Sequence, residues 1–110
     1  LGSCACAGTA ALQELQRRTK ELNVADSSKW ANQTLVFTRQ LLNMLEIARV
    51  ITLGALARNE SRGAHYKPDF PARDDAHWLK TTVAKFTPTG PELSYEKVDT
   101  SLLVPRERKY

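Results

Sequence analysis

The chain has 110 residues, of which 42% are hydrophobic, and it carries a formal net charge of +4. A chain of this length can bury one modest core, so a single domain is expected. Lysine and arginine are spread along the chain among acidic residues, and no five-residue basic run is present that could form a phosphate-binding stripe. The charge pattern therefore does not favour nucleic-acid binding.

The first ten residues give little indication of function. Cys4 and Cys6 are separated by one residue, whereas zinc and redox sites commonly use a two-residue gap, and zinc needs further ligands. Free thiols in a reducing, cytoplasmic compartment are the simpler interpretation. The segment also lacks the basic start and the long apolar stretch of a secretory signal.

A membrane-spanning helix is not expected from the apolar stretch at residues 41–57. Asn43, Glu46 and Arg49 interrupt it, and it is shorter than the ~20 residues that a membrane span requires. We interpret it as part of a soluble helix.

Two helices are predicted in the first half of the chain. Leu12, Leu15 and Leu22 recur at helical spacing and predict an amphipathic helix over about residues 9–22. Small and polar residues at 23–29 then favour a turn, after which Asn32 is a suitable N-cap. A second helix is predicted over about residues 32–59, so the two helices should form a hairpin.

The second helix is predicted to be the dominant element, with apolar residues on more than one side. A helical wheel places one apolar face at Phe37, Leu41, Met44, Leu45, Ala48, Thr52 and Ala55, and a solvated face at Asn32, Arg39, Asn43 and Glu46. In the second half, Ile47, Val50, Leu53 and Ala57 extend the apolar surface around the helix. Such a helix should be buried on several sides, by the C-terminal segment or by another chain or domain.

The helical period stops beyond residue 60. Gly63, Pro68 and Pro71 exclude a continuous helix and predict an irregular loop over residues 60–80. Residues 81–87 and 93–98 read as two short strands around a Pro-Thr-Gly-Pro turn, which predicts a β-hairpin. The chain then ends in a basic, solvated tail that contains Arg106, Arg108 and Lys109.

Candidate chemical groups concentrate in the loop at residues 60–80. One hypothesis is a metal site built from His65, Asp69, Asp74 and His77, but these residues do not have the spacing of a compact ligand motif. Another is acid–base catalysis by His65 or a carboxylate pair, which would need a pocket that a small chain hardly supplies. The favoured interpretation is an ion-paired loop, in which Arg62 and Arg73 bridge to Glu60, Asp69 or Asp74.

The same loop carries a family resemblance. Residues 57–66 read Ala-Arg-Asn-Glu-Ser-Arg-Gly-Ala-His-Tyr, followed by Asp69-Phe70-Pro71, then Arg73-Asp74-Asp75 and Trp78-Leu79-Lys80. This string resembles the C-terminal signature of succinate dehydrogenase and fumarate reductase flavoprotein subunits, whose superfamily includes L-aspartate oxidase. The resemblance covers about residues 12–110, including the basic, Tyr-terminated tail. Residues 1–10 do not share it, which suggests that they are not native to the protein.

The resemblance implies a mainly α fold. In that family the C-terminal domain is a spectrin-repeat-like helical bundle of three helices, followed by an irregular segment. Only two helices are predicted here, so we expect the first helix of the bundle to be missing, and the exposed apolar surface to favour self-association. The short C-terminal β-hairpin completes the expected fold.

The resemblance also implies a function for the parent protein. The intact enzyme would interconvert succinate and fumarate and transfer electrons through FAD to an iron–sulfur subunit. The flavin-binding and dicarboxylate-binding residues of the family lie upstream, and the five glycines of this chain contain no Gly-x-Gly-x-x-Gly. We therefore expect no catalytic, cofactor or metal residues in this chain, and no activity from the chain alone.

The expected role is contact with neighbours, which the resemblance names as the FAD-binding domain of the same subunit and the iron–sulfur subunit. The candidate contact residues are Glu60, Ser61, Arg62, His65, Tyr66, Arg73, Asp74 and Trp78. The parent would be cytoplasmic and peripheral at the inner face of the cell membrane, attached only through partner subunits. A free-standing helical interaction module and the equivalent domain of L-aspartate oxidase remain the alternatives.

Overall fold

The computed structural model describes residues 3–106, with side chains from residue 7 onward. Helix α1 spans Ser3–Arg18 and continues into a 3-10 turn at Thr19–Glu21, and helix α2 spans Gln33–Ala57. A one-turn helix α3 at Asp75–Trp78 precedes strands β1 (Lys80–Lys85) and β2 (Glu92–Lys97). The mainly helical class with a short hairpin is confirmed.

The chain divides into two compact units, whereas its length suggested a single core. The first unit comprises residues 1–59 and contains α1 and α2, and the second comprises residues 60–110 and contains α3 and the hairpin. The helical hairpin of the first unit agrees with the sequence prediction. Helix α1 begins at Ser3, earlier than the predicted residue 9, because the small residues before Thr9 are compatible with a helix but show no apolar period.

The start of α2 was correctly located by its cap. The Asn32 side chain accepts a hydrogen bond from the Leu35 backbone N–H at 2.9 Å, which satisfies one of the unpaired donors of the first turn. Its amide also donates to the Asp26 carbonyl at 2.8 Å, which ties the preceding turn to the helix. Ala31, directly before the cap, has a φ of 51°, so the chain enters α2 through a left-handed residue.

Helix α2 packs on α1 with part of the predicted apolar face. Leu45 is the buried apolar side chain among the described residues, at 7% exposure, and Gly8 of α1 lies close to Thr52. Phe37 and Met44, which the wheel placed on the buried face, are 62% and 63% exposed. The prediction was therefore right for Leu45 and Thr52 and wrong for Phe37 and Met44.

The second half of α2 is also less buried than predicted. Ile47 is 59% exposed and Ile51 is 65% exposed, while Val50 and Leu53 are half-buried. Helix α2 is long and apolar enough to cross a membrane. The sequence prediction considered only the shorter stretch at residues 41–57 and therefore did not indicate this. Core helices of soluble proteins meet the same criterion, so this result is weak evidence for a membrane span.

The C-terminal hairpin agrees with the predicted strands to within two residues. β1 and β2 pair antiparallel, with Lys80 opposite Lys97 and Lys85 opposite Glu92. In the turn, the Gly90 N–H donates to the Thr87 carbonyl at 3.0 Å, and Gly90 has a φ of 137° that a side chain would disfavour. The predicted basic cluster at Arg108 and Lys109 lies outside the described residues.

Candidate functional site

The loop at residues 60–78 is built around the buried carboxylate of Glu60. This side chain has 0% exposure, and it follows the end of α2 by three residues. Its two oxygens accept from Arg62 Nε at 2.9 Å and Nη2 at 3.0 Å, and Oε2 also accepts from the Asp74 backbone N–H at 3.0 Å. A buried carboxylate needs such donors, so Glu60 fixes two separate stretches of the loop to one point.

A tight turn brings Arg62 back toward the carboxylate. Arg62 and His65 form an antiparallel bridge, with backbone N–H to carbonyl distances of 2.8 and 3.0 Å. Gly63, inside this turn, has a φ of 58°, a conformation that side chains other than glycine rarely adopt. The Nε2 atom of His65 is buried and has no hydrogen-bond partner among the described residues.

Asp75 extends the ion pairs beyond Glu60. Its Oδ1 accepts from Arg62 Nη2, and both of its oxygens accept from Arg73, from Nε and Nη2 at 2.7 Å each. The Arg73 guanidinium, followed by that of Arg62, lowers the pKa of Asp75 to about 2. The hydrogen bonds to Glu60, partly opposed by burial, raise the pKa of Arg62 further above its usual range. Arg62 and Asp75 therefore stay ionised at neutral pH.

Ser61 joins the next part of the loop by its hydroxyl group. Its Oγ accepts from the Lys67 N–H at 3.0 Å and donates to the Phe70 carbonyl at 2.8 Å, while its backbone N–H donates to the Ala72 carbonyl at 3.1 Å. These bonds hold residues 67–72, where Pro68 and Pro71 exclude regular structure, in one arrangement. The loop is therefore ordered by side chains rather than by secondary structure.

Asp74 begins helix α3 and connects the loop to the hairpin. Its Oδ1 accepts from the His77 N–H at 3.1 Å and its Oδ2 lies 2.9 Å from His77 Nδ1, and these bonds lower the pKa of Asp74. One residue later, Trp78 packs edge-on against Tyr95 of β2, with ring centroids 5.7 Å apart. The Lys80 ammonium lies 4.3 Å from both ring centroids, a cation–π arrangement that favours this packing.

The arrangement is suited to holding the shape of the loop. Its arginines and carboxylates are engaged with one another, and no group of three or more potential ligands in the described chain could hold a metal ion. An open groove of about 310 Å³ lies in the first unit instead, lined by Leu15, Leu22, Leu41 and Leu45 among others. Arg18, Thr19 and Glu21 complete its lining, so the groove has an apolar floor and a polar edge.

The ion-paired loop was the favoured sequence interpretation, but its predicted partners were partly wrong. Arg62 pairs with Glu60 as predicted, whereas Asp75, which the prediction left out, joins Arg62 to Arg73 in place of Asp69 or Asp74. A local signal was available, since Arg73 and Asp75 are two residues apart, but the contact between Arg62 and Asp75 spans 13 residues.

The eight candidate contact residues all lie in this loop or at its end, with different accessibility. Glu60 is fully buried, and Ser61, Arg62, His65, Arg73, Asp74 and Trp78 are half-buried, whereas Tyr66 is 69% exposed. Most of them therefore shape the loop, and Tyr66 is the member most available to a neighbour. Their contact with another domain or subunit stays a prediction.

Comparison with known proteins shows which family this chain belongs to. The family model described as the fumarate reductase flavoprotein C-terminus matches residues 6–110, a span that starts upstream of the residue 12 expected from the resemblance. The chain belongs to this family of flavoprotein C-terminal domains. The predicted resemblance to succinate dehydrogenase and fumarate reductase flavoprotein subunits is thereby confirmed.

Relatives of this C-terminal domain carry both enzyme names. This chain is 58% identical over 101 residues to the succinate dehydrogenase flavoprotein subunit of Bacillus subtilis, and the match covers 90% of this chain and 17% of that protein. It is 41% identical over 91 residues to the fumarate reductase flavoprotein subunit of Helicobacter pylori, covering 80% and 13%. The domain thus spans 13–17% of the length of these two relatives.

Solved structures of the family share the fold of this C-terminal domain. A quinol fumarate reductase from E. coli superposes with a TM-score of 0.88 at 33% identity, covering 96% of this chain and 19% of that one. The relatives are named as flavoproteins, yet among the described residues Gly8 and Gly54 lie within helices and Gly63 and Gly90 lie in turns, and none of them belongs to a Gly-x-Gly-x-x-Gly loop that could bind a phosphate. The residues present do not fit a flavin site.

Proposed function

We propose that this chain is the non-catalytic C-terminal domain of a flavoprotein subunit whose intact enzyme interconverts succinate and fumarate. In that enzyme, FAD in the upstream part of the subunit would pass electrons to an iron–sulfur subunit. The observation that carries the proposal is the family match over residues 6–110, which extends over only about 17% of the relatives' length. The engaged ion pairs of the loop support a structural rather than a chemical contribution.

The proposed contribution is packing against the rest of the enzyme. Phe37, Met44, Ile47 and Ile51 are 62%, 63%, 59% and 65% exposed, and their spacing of seven, three and four residues aligns them along one side of α2. We call these four residues the α2 stripe. A contiguous apolar surface of this kind marks an interaction site in a soluble protein.

The loop at residues 60–78 supplies a second proposed contact. Its ion pairs hold the backbone in one conformation before any neighbour binds, so little conformational entropy would be lost on contact. The exposed ring of Tyr66 follows directly after the Arg62–His65 bridge. We assign this loop to the FAD-binding domain of the same subunit or to the iron–sulfur subunit.

The parent complex is proposed to be cytoplasmic and peripheral at the inner face of the cell membrane. Relatives include a chain from a quinol fumarate reductase, and quinols are lipid-soluble, which supports a site at the membrane. Attachment would come through partner subunits, and α2 would serve as a packing helix whose apolar stripe meets protein.

Two experiments test the proposal. The purified 110-residue chain is mixed with succinate, an artificial electron acceptor and added FAD, and no turnover is expected; flavin-dependent turnover would contradict a non-catalytic role. In the full-length subunit, the double variant Met44→Ser/Ile51→Ser should lower the yield of flavin-loaded complex with the iron–sulfur subunit severalfold. The matched control is Trp30→Ser, which removes an 89% exposed apolar side chain outside the stripe and should leave assembly unchanged.

A further inference from the structure

A segment near the C-terminus presents apolar side chains to solvent although its backbone is fixed at both ends. Residues 99–106, here called the strap, lie outside the helices and strands. Leu102, Leu103 and Val104 in its centre are 96%, 80% and 76% exposed. Single exposed apolar residues are common, but three in succession at this exposure form a contiguous apolar surface.

The start of the strap is fixed by a local turn. The Asp99 Oδ1 accepts from the Ser101 backbone N–H at 2.9 Å, and this bond lowers the pKa of the Asp99 carboxyl group. An aspartate that bonds the backbone two residues onward forms a compact turn. The chain therefore leaves β2 in a defined direction.

The far end of the strap is fixed by Arg73. Nη1 of this residue donates to the Arg106 carbonyl oxygen at 2.9 Å, while Nε and Nη2 bind the two oxygens of Asp75. Because Asp75 holds the guanidinium plane, the direction of the third bond is also set. Pro105 fixes its own φ at about −65° and disfavours a helical backbone at Val104, which further restricts the strap.

The three apolar side chains are thus displayed by a backbone that is ordered in advance. Ordering before contact lowers the entropic cost of binding and is a property of recognition segments. The side chains are followed by the exposed Arg106, and the sequence continues with Arg108 and Lys109. A complementary surface would combine an apolar groove with carboxylates at its border.

The small size of the strap indicates where that groove lies. Stable contacts between separate proteins use roughly 20–30 residues on each side. Three apolar residues would bind a separate protein only weakly, whereas a groove on the same polypeptide is present at an effective concentration in the millimolar range. The relatives are about six times longer than the matched segment, so most of such a polypeptide lies outside these 110 residues.

We propose that Leu102, Leu103 and Val104 dock into an apolar groove, bordered by carboxylates, on the part of the flavoprotein polypeptide that lies outside these 110 residues. This inference rests on the part of the proposed function that makes the chain a domain of a longer subunit. It adds a defined segment, a defined partner surface and a charge preference to the general packing role.

Hydrogen–deuterium exchange of the full-length subunit, prepared without its partner subunits, tests the proposal. The strap amides should exchange at least tenfold more slowly than their intrinsic rates, and the variant Leu102→Ser/Leu103→Ser should lose that protection after correction for intrinsic rates. The matched control is Phe86→Ser, which removes a 76% exposed apolar side chain from the end of the hairpin and should leave strap protection unchanged. Amides of β1 and β2 report whether each variant remains folded.

Several outcomes would overturn the docking proposal. Strap amides that exchange at their intrinsic rates in the wild-type subunit would show that nothing covers them. Protection that appears only after the iron–sulfur subunit is added would place the groove on that subunit instead, and an equal loss in Phe86→Ser would show that the effect is not specific to the strap. Succinate oxidation is measured on the same preparation with its partners restored, so protection without activity removes the proposed enzyme function and leaves the docking site.

Discussion

Replacement of Glu60 by glutamine isolates the contribution of burial to an ion pair. Glu60→Gln preserves side-chain volume but removes the charge, and one of its two terminal atoms becomes a donor that faces the donors of Arg62 or Asp74. Breaking a buried ion pair costs about 3–5 kcal/mol when the remaining charge is left uncompensated. Arg62 keeps Asp75 as a partner and its side chain is 26% exposed, so we expect a loss of about 2–3 kcal/mol in unfolding free energy.

The chain contains a matched control for this substitution. Glu14 binds Arg17 through the same two-bond geometry, at 2.9 Å for each bond, but its side chain is 54% exposed. Glu14→Gln removes the same charge from the same kind of pair in solvent, where such pairs contribute little. No measurable change is expected from this control.

Trp78 provides the assay because it lies in the same unit as Glu60. The chain has two tryptophans, and the other, Trp30, is 89% exposed. A Trp30→Phe background makes Trp78 the only tryptophan, so urea unfolding followed by its fluorescence reports on the second unit. Glu14 lies in the first unit, so urea unfolding of Glu14→Gln is followed by the circular dichroism of the helices. If each substitution lowers the unfolding free energy of its own unit by the same amount, the buried carboxylate of Glu60 does not organise the loop.

Three further substitutions test the packing, the turn and the ion pairs. Leu45→Ala should destabilise the helical hairpin by about 2 kcal/mol. This value is at the low end for a buried leucine because an open groove adjoins Leu45. Thermal unfolding followed by circular dichroism measures the loss. Gly63→Ala should lower the unfolding free energy by about 1–2 kcal/mol, because the φ of 58° disfavours a side chain although no atom lies within 4 Å of the added methyl group. Urea unfolding followed by Trp78 fluorescence measures this loss, and an unchanged midpoint would contradict the proposed strain. Asp75 has a pKa lowered to about 2, so its contribution is complete above pH ~4 and is lost as the pH falls toward 2. Asp75→Asn should therefore flatten the pH dependence of the unfolding midpoint between pH 4 and 2, and a variant curve as steep as that of the wild type would contradict this assignment.

Features that depend on neighbouring residues were predictable from the sequence. The Asn32 cap, the Thr87–Gly90 turn and the two strands follow from side-chain chemistry within a few positions, and the structure places them where expected. The family string at residues 57–66 was equally informative. A run of unlike residues in fixed order identifies a relationship without any knowledge of the contacts that it makes.

Features that depend on distant contacts were not predictable in the same way. The helical wheel placed Leu45 and Met44 on one face of α2, and the sequence did not decide that Leu45 would be buried against α1 while Met44 stayed exposed. The choice depends on the path of residues 22–32 and on where α1 returns. In the candidate site, Asp75 reaches Arg62 only because Asp74 starts a helical turn there, and this effect of tertiary structure left Asp69 as an equally plausible partner beforehand.

The bond from Arg73 to the Arg106 carbonyl spans 33 residues and encloses the entire hairpin. During synthesis from the N-terminus, the pairing of β1 with β2 can form as soon as residue 97 has emerged, whereas this bond must wait for residue 106. Until then the apolar side chains at 102–104 are carried on a backbone that this bond does not yet hold. The order of translation therefore makes closure of the strap one of the last steps in the maturation of this unit, after the hairpin that it encloses.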